Sequence, residues 1–345
     1  MKFEVIQEDL ETSKVEAIDV LAATRKTRVD EERFKWLYQD NPDGEAVLWA
    51  VRETESGVMA GFTVCLPRRI LANGRELSAW NGADFSILPK YRTLGVALKL
   101  RRAAKEAIDQ GVVPILYSHP NERMQVIHEK VGHHQVGRMI RYAKPLKVFS
   151  RSASGGGNRF AKLLDMTVGR VATTGVRELS NSYGFEIRFE TCETFGEEFD
   201  DLNADVVTAR AFVGVRDARY LNWRYSQYPA RAFQMLTARD SGRLKGYCIC
   251  SSRDGVVDIQ DLFSVSSDVS LGLLKAVVRR ARRQGARSVS MRLLEGATII
   301  PCLESLGFRL RPDFSNMFAY TSSEELNGQL GDPINWFIHV GDRDV

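Results

Sequence analysis

The chain contains two copies of a short aromatic signature, and this repetition constrains its fold more than any other feature of the sequence. Trp36, Tyr38 and Pro42 follow a Trp-x-Tyr-x-x-x-Pro pattern that recurs at residues 223–229. Further paired segments keep the same order: Gly57 to Phe62 with Gly242 to Tyr247, Asp84 with Asp261, Gln110-Gly111 with Gln284-Gly285, and Gly132 with Gly307. This order indicates a duplication, and 345 residues suffice for two domains of roughly 150 residues each.

The repeat predicts where the domains begin and end. We expect one domain over residues 1–149 and a second, similar domain over residues 183–345. Residues 150–182 between them start with a Ser/Gly-rich linker at 150–158, and apolar spacing favours an amphipathic helix at 160–176.

The first copy alternates strand and helix patterns, which predicts an α/β fold with a mixed, twisted sheet flanked by helices. A strand is expected over residues 75–87, a helix over 95–110, a short buried strand over 113–118 and a helix over 123–130. Between the first two lies a short basic turn over residues 88–94. The following helix begins with small residues, and a helix N-terminus leaves amide donors unpaired, so this loop predicts an anion site to which Arg92 adds charge.

Two motifs together resemble the GNAT superfamily of N-acetyltransferases. The first is Arg92-x-x-Gly95-x-Ala97, which resembles the loop that binds the acyl-CoA pyrophosphate. The second runs from Asn121 to Gly132, with Asn121, Lys130 and Gly132 in register with the family pattern. The resemblance covers about residues 45–145, with a weaker echo over 183–325, and it implies two tandem GNAT-like domains.

The resemblance also implies a cofactor site for acetyl-CoA or another acyl-CoA. The backbone of Ser86, Ile87 and Leu88 would bind pantetheine, and Asn121 would contact the cofactor arm near its reacting end. The pyrophosphate would be bound by Arg92 and by the backbone of Thr93, Leu94, Gly95, Val96 and Ala97.

Two side chains are candidates for catalysis. His128 occupies the position where the family carries a tyrosine acid, and its imidazole can act as acid, as base, or as neither. Asp84 lies on the strand before the loop, where a carboxylate can orient or deprotonate an amine. Its counterpart Asp261 in the second copy favours a structural role instead.

The second copy lacks the features that would bind acyl-CoA. No Arg-x-x-Gly-x-Ala pattern follows Asp261, and Asp268 would repel a pyrophosphate. We therefore interpret it as a degenerate domain that shapes the acceptor pocket or stabilises the first domain.

Composition and charge also bear on which ligands the protein binds and where it acts. A net charge of +4 and no interleaving of basic and aromatic residues argue against nucleic-acid binding, so Arg101-Arg102 and Arg279 to Arg283 are interpreted as solvated helix faces. Scattered cysteines, no secretory signal and no apolar run long enough for a membrane span predict a cytoplasmic protein. Four histidines lie between His119 and His134, but their spacing is not diagnostic, so no metal site is expected.

The sequence thus predicts an acyl-CoA-dependent N-acyltransferase, with acetyl-CoA as the expected co-substrate and a small-molecule amine or an amino sugar as the acceptor. Two alternatives stay open. One is a non-catalytic acyl-CoA-binding or sensor protein. The other is a Fem-type aminoacyl transferase, against which the intact CoA loop argues.

Overall fold

The computed structural model describes residues 2–25, 29–147, 184–206, 211–230 and 232–343. The strands are β1 (Phe3–Glu8), β2 (Val47–Glu53), β3 (Met59–Ala72), β4 (Arg75–Ile87), β5 (Ile115–Ser118), β6 (His134–Pro145), β7 (Glu186–Thr191), β8 (Phe212–Gly214), β9 (Gln234–Asp240), β10 (Arg243–Arg253), β11 (Val256–Ser264), β12 (Ser288–Leu294), β13 (Arg309–Tyr320) and β14 (Trp336–Phe337). The α-helices are α1 (Leu10–Thr24), α2 (Glu31–Phe34), α3 (Leu94–Asp109), α4 (Glu122–Lys130), α5 (Glu198–Asp205), α6 (Ala218–Leu221), α7 (Ser267–Arg283), α8 (Ile300–Ser305) and α9 (Glu324–Leu330). The predicted linker and helix at 150–176 lie outside the described residues.

The chain divides into two compact units that are not continuous in sequence. The first unit comprises Met1–Met139, Thr208–Arg231 and Ser315–Val345, and the second comprises Ile140–Val207 and Ala232–Phe314. The boundaries at 149 and 183 that the repeat suggests stay a prediction.

The first unit is built on a mixed sheet with strand order β1-β2-β3-β4-β5-β13. All neighbours in it are antiparallel except β4 and β5, which are parallel. Helix α3 packs on this sheet through Val96, Leu100, Ala104 and Ile108, which recur at helical spacing and share a core with Trp80. The expected strand over 75–87 and the helix that follows the loop are therefore present.

The second unit has the same arrangement of strands. Its order is β7-β9-β10-β11-β12, with only β11 and β12 parallel among these pairs. Helix α7 follows β11, as α3 follows β4. Gly61 and Gly246 occupy matching positions of the repeat, and a side chain is excluded at both for the same physical reason. A Cβ at Gly61 would collide with the carbonyl oxygen of Ser86 on β4, and a Cβ at Gly246 would lie 2.5 Å from the side chain of Ser264 on β11.

The repeated aromatic signatures meet inside the first unit. Each forms a single-turn π-helix, at Lys35–Gln39 and Asn222–Ser226. The rings of Trp36 and Trp223 stack with centroids 5.0 Å apart, and each indole N–H donates to the other residue's carbonyl oxygen at 2.8 Å. Both indoles are buried, so the interpretation of these tryptophans as core residues is consistent with their packing.

Candidate functional site

The site is built around a bulge in strand β4. Its parallel pairing with β5 runs from Ala79 to Gly82 and stops there, while β4 continues to Ile87. On the β3 side, the register shifts between Phe62 and Val64, so two β4 residues lie opposite one β3 residue. Asp84 is one of the two bulged residues and has a φ of 38°, in the left-handed region. The bulge bends the β4 strand just before the predicted anion loop.

A cavity of about 670 Å³ opens beside this bulge. Its lining residues are Thr24, Arg25, Phe85, Ser86, Ile87, Arg92, Thr93, Leu94, Ala97, Asn121, Arg123, Met124 and Ile127. Most of the residues predicted to bind the cofactor are thus brought together. Of the others, Leu88 donates its backbone N–H to the Ala60 carbonyl at 2.9 Å, Val96 is buried, and Gly95 is exposed at the start of α3.

The N-terminus of α3 lies at this cavity. Thr93 caps the helix, because its hydroxyl accepts from the Val96 N–H at 3.3 Å. Arg92 donates from Nε to the Ile87 carbonyl at 2.8 Å, which ties the loop to the end of β4. Uncapped amide donors, the helix dipole and an exposed guanidinium together suit a phosphate-bearing ligand.

Asn121 lines the large cavity and also a smaller one beside it. Its Oδ1 caps α4 by accepting from the Met124 N–H at 3.1 Å. It lines both cavities, as do Arg25, Phe85 and Met124. The remaining residues of the smaller cavity, of about 120 Å³, are Gly82, Ala83, Asp84, Arg101, Ser118, His119, Pro120 and His128.

Asp84 is buried and its charge is compensated. Its Oδ2 accepts from the Tyr38 hydroxyl and, at 3.1 Å, from Arg33, and its Oδ1 forms an ion pair with Arg25. Burial, then the carboxylate, raises the pKa of Tyr38 well above its ordinary value, so this phenol stays protonated. Two guanidinium groups and a hydroxyl thus hold this carboxylate in place, and the role of Asp84 in catalysis stays a prediction.

His128 is also buried, and it lines the smaller cavity. Its Nδ1 lies 2.9 Å from Nδ1 of His133, so one imidazole donates to the other. Burial, then the nearby Arg101 charge, lowers the pKa of His128 well below its ordinary value, and the same causes lower that of His133 to about 2. His128 is therefore neutral at pH 7. Its role as acid or base stays a prediction, and a proton donated at that pH would come from the neutral ring.

One sequence interpretation is wrong. The Arg101-Arg102 pair was expected on a solvated helix face, but Arg101 is only 2% exposed, while Arg102 is exposed. Arg101 lies four residues after Ala97 and three before Ala104, on the buried face of α3, and this spacing was the available signal. In the other cluster Arg283 is exposed, and Arg280 and Arg282 are half-buried.

Sequence reasoning did not single out Arg25, and it considered His119 only as a metal ligand, although both residues line the smaller cavity. Arg25 follows α1 directly and reaches Asp84, a contact that no local pattern predicts. Among the described residues, no three His, Cys, Asp or Glu side chains lie close enough to hold a metal ion together.

Known structures share this fold. The chain resembles a GCN5-related N-acetyltransferase from Anabaena variabilis ATCC 29413, with a TM-score of 0.68, 14% sequence identity, and coverage of 93% of this chain and 73% of that one. A GCN5-related N-acetyltransferase from Kribbella flavida gives a TM-score of 0.62 at 15% identity, covering 93% and 71% of the respective chains. Saccharomyces cerevisiae N-myristoyltransferase, solved with bound myristoyl-CoA, gives 0.58 at 10% identity, covering 99% and 85%.

These likenesses establish a GNAT fold for this chain, which confirms the predicted α/β fold class. No protein-family model matches the sequence, and neither does any curated protein. In the part of the chain that the structure describes, no helix is both long and apolar enough to cross a membrane.

Proposed function

We propose that this protein is an acyl-CoA-dependent N-acyltransferase whose co-substrate occupies the cavity at the bulge of β4 and the N-terminus of α3. The observation that supports this most strongly is the convergence on one cavity of Ser86 and Ile87 from β4, Arg92 and Thr93 from the loop, and Asn121 from α4. The amide donors of α3 that Thr93 leaves uncapped suit a pyrophosphate, and the β4 backbone beyond its pairing with β5 suits an amide-bearing arm.

The proposed reaction is a direct transfer. The acceptor amine attacks the thioester carbonyl, a C–N bond forms and the C–S bond breaks. The amine loses a proton, and the thiolate that leaves takes one up. Neutral His128 can accept or donate a proton, and Asp84, which itself lines the smaller cavity, can orient the amine by accepting a hydrogen bond from its N–H.

For the acceptor, we propose a small-molecule amine or an amino sugar. The acyl group expected from the family resemblance is acetyl. We further propose that the protein acts in the cytoplasm, that its two halves are tandem domains, and that the second half has a supporting role. It carries the same strand order but has Asp268 in the first turn of α7.

A non-catalytic acyl-CoA sensor is the second candidate. It is favoured by the state of the two candidate catalytic groups, since His128 is buried and neutral and Asp84 is ion-paired. Acyl-CoA binding without turnover across a broad panel of amines would support it. A Fem-type aminoacyl transferase is disfavoured, because the exposed loop that would bind CoA is intact.

Calorimetry with acetyl-CoA on wild type and Gly95→Glu tests the proposed binding site. A Cβ at Gly95 meets no described atom within 4 Å, so the folded protein accepts a side chain there. The added carboxylate would repel the pyrophosphate, and we expect binding at least about tenfold weaker.

Gly328→Glu is the matched control. Gly328 is exposed on α9, and a Cβ there also meets no described atom within 4 Å, so the same charge is added away from the cavity. We expect wild-type binding for this variant. Absence of acetyl-CoA binding by the wild type, or equal binding by Gly95→Glu, would refute the proposed site.

A further inference from the structure

Arg101 is a buried cation without an anionic partner in the described part of the chain. It extends from α3, and its Nη2 donates to the Thr63 hydroxyl at 3.0 Å. Its Nε and Nη1 are shielded from solvent and have no hydrogen-bond partner among the described residues. Burial lowers the pKa of Arg101, yet a guanidinium stays protonated in proteins. Two strong donors on a positive charge are therefore left without acceptors.

Such an arrangement is unfavourable in a protein that binds nothing there. An isolated charge removed from water loses its hydration, and buried charges are normally paired with an opposite charge. The hydroxyl of Thr63 compensates only one of the donors of Arg101. An anion supplied from outside the chain would complete the site.

The smaller cavity is where such an anion would be bound. Arg101 lines it together with Ser118 and His119. The Ser118 hydroxyl and both ring nitrogens of His119 are also buried without hydrogen-bond partners among the described residues. A Cβ at Gly82 would lie 2.5 Å from the Ser118 hydroxyl oxygen and 3.1 Å from Nη1 of Arg101, so the absence of a side chain there keeps these groups accessible.

Asp84, also in the lining, does not supply the missing anion. Its oxygens are bound by Arg25, Arg33 and the Tyr38 hydroxyl. His128, in the same lining, is neutral at pH 7 because burial and Arg101 lower its pKa. The guanidinium carbon of Arg101 lies 5.4 Å from the ring centre of Phe85, a cation–π contact that supplies no hydrogen-bond acceptor, so among the described residues no anion pairs with this charge.

We propose that the smaller cavity binds the acyl group of the co-substrate, and that this acyl group ends in a carboxylate held by Arg101. The inference rests on the proposed function, and it puts a carboxylated acyl group in place of the acetyl group that the family resemblance implies. The two cavities are adjacent, since both are lined by Arg25, Phe85, Asn121 and Met124, and the acyl group of a thioester in the large cavity would extend into the small one.

The size of the cavity limits the acyl group. A volume of about 120 Å³ is about that of four water molecules in the liquid. The tail of a malonyl or succinyl group beyond the thioester carbonyl has four or five non-hydrogen atoms and fits this space. A long alkyl chain does not fit, and it would leave the donors of Arg101, Ser118 and His119 without acceptors.

Binding of succinyl-CoA and butyryl-CoA to the full chain tests the inference, because their acyl groups have the same number of carbons and differ by a terminal carboxylate in place of a methyl group. Calorimetry on the wild type should show that succinyl-CoA binds at least about tenfold more tightly than butyryl-CoA, because the terminal carboxylate forms charge-assisted hydrogen bonds with Arg101. Arg101→Met keeps a long side chain and removes the charge, and it should abolish this preference while butyryl-CoA binding is retained. Arg102→Met removes the neighbouring exposed charge and should keep the preference.

The outcomes separate the two proposals. If neither thioester binds the wild type, the proposed function fails. If both bind equally, or if Arg101→Met keeps the preference, the acyl-CoA site stands and the carboxylate inference is overturned. Should Arg101→Met fail to fold, the wild-type comparison decides alone, since a tenfold preference supports the inference and equal affinities overturn it.

Discussion

Replacing Asp84 with asparagine should destabilise the first unit, because it leaves two arginines beside a neutral amide. Breaking a buried ion pair by removing one partner typically costs about 3–5 kcal/mol. The side chains of Arg25 and Arg33 are 32% and 23% exposed, so they recover part of their hydration, and we expect about 2–3 kcal/mol. Asparagine tolerates positive φ, so the backbone at the bulge adds little to this cost.

The measurement is urea unfolding followed by tryptophan fluorescence. With a slope of about 2 kcal/mol per molar urea, the midpoint should fall by about 1–1.5 M. Binding of acyl-CoA to the folded variant should persist. Asp261→Asn is the matched control in the second copy, where the carboxylate accepts from the Tyr247 hydroxyl at 2.9 Å and no acyl-CoA site is proposed.

The same variant separates a structural role from a catalytic one. A positioning role for Asp84 predicts lower stability together with reduced turnover. Wild-type stability with acyl-CoA binding kept and turnover lost would refute the ion-pair reasoning. That result would favour Asp84 as the base that accepts the amine proton.

Two further predictions concern stability. The pKa of His133 is about 2 in the folded protein and roughly 6.5 in an unfolded chain. Below pH 6.5 the unfolded chain therefore binds a proton that the folded protein does not bind. The free energy of unfolding falls as the pH falls. In His133→Phe the new ring can still stack on Tyr320. Between pH 7 and pH 5 this variant should lose about 2 kcal/mol less of its free energy of unfolding than the wild type. Equal pH dependence of the two proteins in urea titrations would contradict this prediction. Trp36→Phe and Trp223→Phe should each lower the free energy of unfolding by about 1–3 kcal/mol. The two losses should be non-additive in a double-mutant cycle, because each indole N–H donates to the other residue's carbonyl oxygen. A single variant with wild-type stability, or losses that add, would disprove this prediction.

Local patterns predicted the elements that frame the site. The strand over 75–87 has the expected bounds, and the helix after the loop begins at Leu94 rather than Gly95, with Thr93 as its cap. Helix α4 begins at Glu122, one residue before the expected start at 123, and Asn121 is its cap. Residues 31–39 form α2 and then a π-helix, in which Trp36 stacks on Trp223, and no local pattern reveals this long-range contact.

The chemistry of the site was less predictable, because burial and charge pairing depend on residues distant in sequence. Sequence alone placed His128 as a candidate acid and Arg101 on a solvated face. Packing of α3 and α4 buries both side chains, and the charge of one helps to keep the other neutral.

The sequence by itself therefore determined the order of strands and helices, the capped start of α3 and the repeated motifs, since these depend on hydrogen bonding, capping and apolar spacing within short segments. Only the tertiary structure decided which charges are compensated. Asp84 acquires Arg25 and Arg33, whereas Arg101 acquires no anion from the described residues. Desolvation makes that difference important, because an unpaired charge costs little in water and much in a protein interior.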